Sequence, residues 1–391
     1  MGSGPAGAAT GMALAALAPR LAERTLCIDK QTHPREKICG GGLTGHMLDQ
    51  MEGLGVGLGD VPSVRIDRCT CVFRSITHAV PLDRPFRVVR RDAFDAHLAR
   101  TMVSRGIELS EGEAYVSHRP RADGRLDVTT TRRTYAVKAL VAADGAGSKI
   151  ARSIGERRRQ SVHLAQADVP MPDHIDRHAM VYDFSDVTGE LHGYLWIFPT
   201  PLWDGAGRQL CNVGVMQCGP TRTGGGLTAL LARGLSRWGM DLGSAPVRFH
   251  PEWAFDPGFA FSAPGVLTAG DAAGIDPLFG EGLSQCLEYG RLCAEELTES
   301  LSRGDTRFDG YRRRVLWSEM GLEMQVLRIP ARRFYRPGNE VWVSFVFNSP
   351  YLPRMMAAQG ENRLRLHRRV LPILGRAAWH VLAGNRGLPA E

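Results

Sequence analysis

VLTAGDAAGIDPLFGEGL, residues 266–283, is the most specific signal in this sequence. Its apolar first residues predict a buried strand that delivers Asp271, and a helix is expected directly afterwards at residues 284–300. Gly280 and Gly282 allow a ligand to approach the backbone where that helix begins. The N–H groups of a helix N-terminus attract negative charge. The run therefore predicts a ligand-binding strand–turn–helix unit.

A second glycine-rich turn opens the chain. Residues 2–7 read GSGPAG, a GxGxxG pattern, and an Ala/Leu-rich stretch of high helix propensity follows at residues 8–18. This arrangement suits a pyrophosphate at a helix N-terminus. Residues 25–28 predict a short strand that ends in Asp29, near the position expected for an acid that binds a ribose.

The strand that should precede the first glycine of a dinucleotide-binding fold is missing from this sequence. Only Met1 stands before Gly2, whereas that fold places a β-strand there. We expect the native chain to begin some residues upstream.

Three shorter motifs lie between these two turns. The run KICGGGL at residues 37–43 combines a cation, a thiol and a glycine triplet against which a planar ligand could lie. Arg91 stands at a predicted strand–helix junction within residues 86–98, where it is either a diphosphate ligand or a solvated cation. A predicted buried strand at residues 138–143 ends in Asp144-Gly145.

Together these motifs resemble the geranylgeranyl reductase family, within the para-hydroxybenzoate hydroxylase-like flavoproteins. The resemblance covers roughly residues 1–300. It implies an α/β fold with a Rossmann-like FAD-binding domain, an antiparallel-sheet substrate domain and a helical, basic C-terminal region. The expected ranges are 1–62, 91–160 and 256–300 for the first, 63–90 and 161–255 for the second, and 301–391 for the third.

The resemblance also implies a set of binding residues. Those expected to bind FAD are Gly2, Gly4, Gly7, Asp29, Lys37, Gly40, Gly41, Arg91, Asp144, Gly270, Asp271, Pro277, Gly280, Gly282 and Leu283. Asp29 would bind the adenosine ribose, Asp271 the ribityl chain, and the helix after Gly282 the flavin pyrimidine ring.

The substrate site is expected on strands near residues 180–184, 193–198 and 209–216. The runs GYLWIFP at 193–199 and NVGV at 212–215 look like motifs of the family, and Tyr194, Trp196 and Phe198 are the candidate substrate-binding residues. Alternating aromatic residues are also typical of the buried face of a sheet.

The implied reaction is hydride transfer from reduced FAD to a carbon–carbon double bond of an isoprenoid-like or other hydrophobic substrate. Cys39 is the candidate proton donor, with an inert buried thiol as the alternative. No second GxGxxG follows a strand, so the external electron donor, NAD(P)H or a reduced carrier, stays open. The alternatives are a flavin monooxygenase or halogenase, although the halogenase WxWxIP motif is altered at Tyr194 and Phe198, and a truncated, non-catalytic flavin-binding protein.

Composition narrows the protein class further. The net charge is +7, and the eight cysteines form no CxxC pair, which predicts reduced thiols in the cytoplasm. No apolar run approaches the ~18 residues that span a bilayer. His174 and His178 stand beside prolines, so we expect no metal site, and no nucleic-acid-binding module is recognisable.

The last part of the sequence is basic. We expect a helix over residues 308–328 that Pro330 stops, followed by basic clusters at 332–336 and 363–369. Apolar residues 370–379 accompany the second cluster, so the tail is either a peripheral membrane contact or a solvated helical cap.

Overall fold

The computed structural model describes residues 1–155, 161–219, 224–349 and 353. The helices in these ranges are α1 (Pro5–Leu17), α2 (Pro19–Ala22), α3 (Gly45–Gly53), α4 (Arg91–Ser104), α5 (Lys149–Ser153), α6 (Gly224–Ser236), α7 (Leu283–Ser302), α8 (Tyr311–Trp317), α9 (Glu319–Phe334) and α10 (Glu340–Asn348), with a 3-10 turn at Gly270–Ala272.

The strands are mostly short. They are β1 (Leu26–Ile28), β2 (Gly42–Leu43), β3 (Ser63–Phe73), β4 (Ile76–Val89), β5 (Glu108–Ser110), β6 (Tyr115–Pro120), β7 (Leu126–Thr130), β8 (Thr134–Val137), β9 (Leu140–Ala142), β10 (Ser161–Pro170), β11 (Ala179–Asp183), β12 (Gly193–Trp203), β13 (Gln209–Cys218), β14 (Arg248–Trp253), β15 (Ser262–Ala263) and β16 (Val266–Thr268).

The largest sheet has eight strands in the order β14-β10-β13-β12-β11-β3-β4-β2. Its neighbouring strands are antiparallel except for the parallel pair β11–β3. The strands predicted near residues 180–184, 193–198 and 209–216 are confirmed as β11, β12 and β13. This sheet supplies one wall of the site described below.

The two glycine-led helices pack directly on each other. Ala8, Ala9 and Met12 of α1 are fully buried. At the crossing with α7, a Cβ on Gly290 would lie only 2.6 Å from Ala9 Cβ and 2.7 Å from Thr10 N. Small side chains on both helices therefore allow this close approach, and the predicted Ala/Leu-rich helix is confirmed.

Short parallel strands accompany these helices. β1 pairs with β5, and β16 pairs with β9, as expected for the Rossmann-like part of an α/β fold. The first residues lie between the two pairs: Gly2 N donates to Ile28 O at 2.7 Å, and Ala143 N donates to Met1 O at 2.9 Å. The backbone at Met1 and Gly2 thus links β1 with the end of β9.

The helix predicted over residues 308–328 is wrong in two respects. It is divided into α8 and α9 at Ser318, whose extended backbone ends one helix while its side chain caps the next by accepting from Gly321 N at 3.0 Å. Pro330 lies inside α9 rather than after it. Burial of Leu327, Ala331 and Phe334 on the same helix offsets the one backbone hydrogen bond that proline removes.

Candidate active site

A cleft of about 650 Å³ connects the first turns of α1 and α7. The sequence-predicted residues that line it are Gly2, Gly4, Asp29, Lys37, Cys39, Arg91, Asp144, Asp271, Gly280, Gly282 and Leu283. The predicted FAD-binding residues outside this lining are Gly7, Gly40, Gly41, Gly270 and Pro277. The structure therefore brings five separate motifs to one cavity.

The glycines at the start of the chain keep the N-terminus of α1 open. Gly2 has a φ of +96°, and a Cβ there would lie 2.2 Å from Ala143 O. A Cβ on Gly7 would lie 1.8 Å from Gly2 O. Gly4 is the N-cap residue and faces the Arg35 guanidinium, which would be 3.2 Å from its Cβ. An uncovered helix start beside a cation suits an anionic ligand.

Asp29 both anchors this turn and lines the cleft. Its Oδ2 accepts from Ser3 N at 2.8 Å and from Ser3 Oγ at 2.7 Å, and its Oδ1 accepts from Gln31 N at 2.9 Å. Although burial alone would raise it, the pKa of Asp29 is lowered because Gln31 and Ser3 donate to the carboxylate. Asp29 is therefore an ionised acceptor that holds the glycine turn in place.

Two arginines share Asp95 but present different groups to the cleft. Arg91 is buried and binds Asp95 in a bidentate pair at 2.8 and 3.0 Å. Although burial favours loss of its proton, the carboxylate of Asp95 raises the pKa of Arg91. Arg35 lies 3.4 Å from Asp95 and 4.0 Å from Asp29, and its Nε has no hydrogen-bond partner within the described ranges. Arg35 is thus better placed than Arg91 to bind a ligand, and the sequence reasoning missed it.

The other end of the cleft holds a charged cluster. Lys37 Nζ lies 2.6 Å from His250 Nε2 and 3.7 Å from Asp271 Oδ2. Burial, reinforced by Lys37, lowers the pKa of His250 to about 4, so its neutral ring accepts from the ammonium group. Burial would raise the pKa of Asp271, but Lys37 and its neighbours lower it. The cluster thus contains an ionised aspartate paired with a lysine.

Two buried carboxyl oxygens in the cleft have no hydrogen-bond partner among the residues that the structure describes. They are Asp144 Oδ1 and Glu252 Oε2. The other oxygen of Asp144 accepts from Lys149 N at 3.0 Å. Burial, with Asp271 nearby, raises the pKa of Glu252 to about 8. Glu252 is another residue that the sequence reasoning missed, because it lies on an unremarkable strand.

The start of α7 closes this end of the cleft. Gly282 is its N-cap residue, and the helix continues for 20 residues, so its positive end faces the cavity. Gly280 has a φ of +67°, and a Cβ there would lie 3.0 Å from Met216 Sδ. The glycine thus meets both a backbone and a packing requirement at this turn.

Comparison with known proteins agrees with these features. No protein-family model matches the chain. It is 27% identical over 392 residues to geranylgeranyl diphosphate reductase of Arabidopsis thaliana, across 91% of this chain and 78% of that protein. It is 29% identical over 333 residues to menaquinone reductase of Mycobacterium tuberculosis, across 76% of this chain and 75% of that protein.

The chain is similar in sequence to geranylgeranyl reductases and menaquinone reductases.

Solved structures share the fold of this chain. A geranylgeranyl bacteriochlorophyll reductase-like protein from Thermoplasma acidophilum superposes with a TM-score of 0.72 at 17% identity, covering 92% of this chain and 90% of that one. The flavin-dependent halogenase CmlS superposes with a TM-score of 0.69 at 17% identity, covering 96% and 76%. These superpositions confirm the predicted fold class. The fold alone does not distinguish a reductase from a halogenase.

The aromatic motif of β12 is buried beside the cleft. Tyr194, Trp196 and Phe198 lie on β12, and none of them lines the cavity. Phe184 touches Tyr194 on one side and Phe334 and Phe347 of α9 and α10 on the other. A layer of aromatic rings thus fills the space under the sheet.

The glycine triplet packs against this aromatic layer. A Cβ on Gly40 would lie 2.8 Å from Phe198 Cδ2 and 3.3 Å from Trp196 Nε1. Gly41 has a φ of +77°, and its N–H donates to Cys39 Sγ at 3.4 Å. Cys39 lines the cleft, whereas the three glycines after it do not, so the glycines set the position of its thiol.

Tyrosines hold the turn before α7. The hydroxyl of Tyr194 donates to Phe279 O at 2.5 Å, and that of Tyr335 donates to Leu278 O at 2.5 Å. Pro277 is buried in the same turn. Tyr194 therefore positions the Gly280 turn from outside the cavity.

Two further predictions concern metals and membranes. His174 Nε2 lies 3.1 Å from Trp238 O, and His178 Nδ1 lies 3.0 Å from Arg65 O, so each imidazole faces a different carbonyl. Among the described residues, no group of three His, Cys, Asp or Glu side chains is arranged to hold a metal ion, and no helix has the length and apolarity to cross a bilayer. The basic cluster at 363–369 and the apolar residues 370–379 lie outside the described residues.

Proposed function

We propose that the protein binds FAD in the cleft and reduces carbon–carbon double bonds of an isoprenoid-like substrate. The observation that carries this proposal is the single cleft that joins a glycine-led helix start, beside Arg35, to a second helix start, beside Lys37 and Asp271. One end suits a diphosphate, and the other suits a ring that gains negative charge on reduction.

The residues present fit this cofactor. Gly4 and the N-terminus of α1 would hold the diphosphate together with Arg35, whose buried Nε lacks a partner in the part of the chain described. Asp29 would accept from the ribose, and Asp144 offers the unpartnered Oδ1 to a polar group nearby. Buried polar atoms are normally satisfied, so orphaned atoms lining one cavity support a polar ligand there.

Bound FAD would supply the hydride. The protein contributes the surrounding charge: Lys37 and the N-terminus of α7 stabilise an anionic ring, and the pairing of Lys37 with Asp271 fixes the lysine in place. The aromatic layer under β12 excludes water from one side of the site. A preorganised site of this kind requires little reorganisation when charge develops.

The choice of substrate class rests on the relatives, which are named as reductases of geranylgeranyl diphosphate and of menaquinone. Both names denote molecules with an isoprenoid chain. We propose that the substrate is a hydrophobic molecule of this class. An external two-electron donor, NAD(P)H or a reduced carrier, would reduce the flavin. The basic tail would make peripheral membrane contact.

The test is product analysis with and without oxygen. The purified protein, loaded with FAD and reduced by dithionite, is incubated under argon with geranylgeranyl diphosphate, and the products are analysed by mass spectrometry. We expect a mass gain of two hydrogens for each reduced double bond in argon, and no product that depends on air. A product that forms only in air and contains oxygen or halide would overturn the proposal in favour of a monooxygenase or halogenase.

A further inference from the structure

We propose that Glu252 is a catalytic residue that donates the proton accompanying hydride transfer to the double bond. This inference deepens the proposed function and rests on it. It assigns the second hydrogen of the reaction to a side chain that no motif of the sequence marks.

Glu252 lines the cleft close to the start of α7. Glu252 lies on β14, the edge strand of the eight-stranded sheet, in register with Val162 of β10. Its carboxyl group lines the cleft, and its Oε2 would be 3.6 Å from a Cβ on Gly280. The acid therefore faces the turn that leads into α7, at the end of the cleft assigned to the reactive ring.

The Oε2 atom of Glu252 is available to a bound molecule. Oε2 is buried and accepts or donates no hydrogen bond within the described residues. A buried oxygen without a partner is costly, so a proton on this carboxyl group is free to be directed at a bound molecule. Tyr194, by contrast, already donates its hydroxyl proton to Phe279 O.

The surroundings of Glu252 favour the neutral form of its carboxyl group. Five ionisable groups interact electrostatically with Glu252: Lys37, Arg91, Tyr194, Cys218 and Asp271. His250 lies two residues away on the same strand. Asp271 holds the negative charge of this end because Lys37 lies 3.7 Å from it. Burial, and then the negative charge of Asp271, raise the pKa of Glu252 to about 8, so its carboxyl group is protonated at neutral pH.

Cys39, the thiol expected to give the proton, is less suited to that role. Its Sγ accepts from Gly41 N at 3.4 Å, and the cationic Arg91 lies beside it. The sulfur thus already has protein partners, whereas Glu252 Oε2 has none among the described residues. The carboxyl group is therefore freer to meet a bound molecule in the same cavity.

The step balances as follows. The π bond of the alkene breaks, one carbon forms a C–H bond with the hydride supplied by the reduced flavin, and the other forms a C–H bond with the proton of Glu252. The external two-electron donor restores the reduced flavin. Glu252 is left as a carboxylate and regains its proton from solvent through the open cleft.

The test compares single turnovers of three variants with the wild type. Each FAD-loaded, reduced protein is mixed under argon with geranylgeranyl diphosphate, and reoxidation of the flavin is followed by absorbance. We expect Glu252→Gln to slow reoxidation about 100-fold or more, as for loss of a general acid. Glu252→Asp should recover part of the rate, and Glu23→Gln, at an exposed position, should match the wild type.

A second readout needs no flavin. Infrared spectra of the FAD-free protein near neutral pH should show the carbonyl stretch of a protonated carboxylic acid, absent in Glu252→Gln and retained in Glu23→Gln. The wild-type rate should also fall as pH rises past about 8, and the Gln variant should lack that dependence.

The outcomes separate the two proposals. A wild type that the isoprenoid does not reoxidise overturns the proposed function, and the role of Glu252 with it. A wild type that turns over while Glu252→Gln keeps its full rate overturns the role of Glu252 alone. An ionised Glu252 at neutral pH, seen as no infrared difference between wild type and Glu252→Gln, also overturns it.

Discussion

Individual side chains in the cleft differ in whether a protein partner already satisfies them. Arg91 donates two hydrogen bonds to Asp95, whereas Arg35 keeps a buried Nε without a partner among the described residues. Asp271 has a lysine at 3.7 Å, whereas Glu252 Oε2 has no partner there. The unsatisfied members of these pairs are the ones expected to meet ligands, since their burial is costly in an empty cleft.

Arg35 is expected to contribute to the affinity for FAD. Removing a charge-assisted hydrogen bond costs ~1.5–3 kcal/mol, so Arg35→Gln should weaken FAD binding by about 10–100-fold. Fluorescence titration of the FAD-free protein measures the dissociation constant. Arg24→Gln, at an exposed arginine, is the matched control, and equal affinities for both variants would show that Arg35 does not bind the cofactor.

Glu252 is expected to make the free energy of unfolding depend on pH. Because the pKa of Glu252 is raised to about 8 in the folded protein, the folded state keeps a proton that the unfolded state has lost above its ordinary pKa. Stability should therefore fall as pH rises through this window, by at most ~1.4 kcal/mol per pH unit from this group. Urea unfolding of the FAD-free wild type and Glu252→Gln at several pH values measures the difference. Parallel pH curves for the two proteins would contradict the raised pKa.

At the scale of elements, the site depends on two helices that begin at glycines and cross closely. The glycine turns direct both helix starts at one cavity, and the small residues along α1 bring it against α7 at Gly290. The tyrosines of β12 and of the segment after α9 then hold the turn before α7. Packing outside the cleft thus sets the geometry at its two ends.

The helix crossing is tested by adding a single methyl group. Gly290→Ala would place a Cβ 2.6 Å from Ala9 Cβ and 2.7 Å from the backbone of Thr10, so the free energy of unfolding should fall by about 1–3 kcal/mol. Gly53→Ala is the matched control, because it lies in helix α3 with no atom within 4 Å of the added group. The control should be neutral or slightly stabilising. Equal unfolding midpoints for both variants would contradict the close packing described here.

At the scale of the whole molecule, the sequence predicted the parts of the cleft that are local and missed the parts that depend on pairing. Glycine turns followed by helices, and strands followed by aspartates, have signals within a few residues, so both ends of the cleft were predicted. His250 and Glu252 reach the cleft only because β14 pairs with β10 at the sheet edge, more than 200 residues from Lys37. Pro330 in α9 was mispredicted because tertiary burial overrides a local helix-breaking signal.

If one cleft holds FAD and delivers hydride to an isoprenoid double bond, the flavin should be reoxidised by the isoprenoid without oxygen. The most direct measurement loads the protein with FAD, bleaches the visible flavin band with dithionite under argon, and then adds geranylgeranyl diphosphate. We expect the band to return in argon, in proportion to the reduced product formed. A band that stays bleached until oxygen is admitted would contradict it.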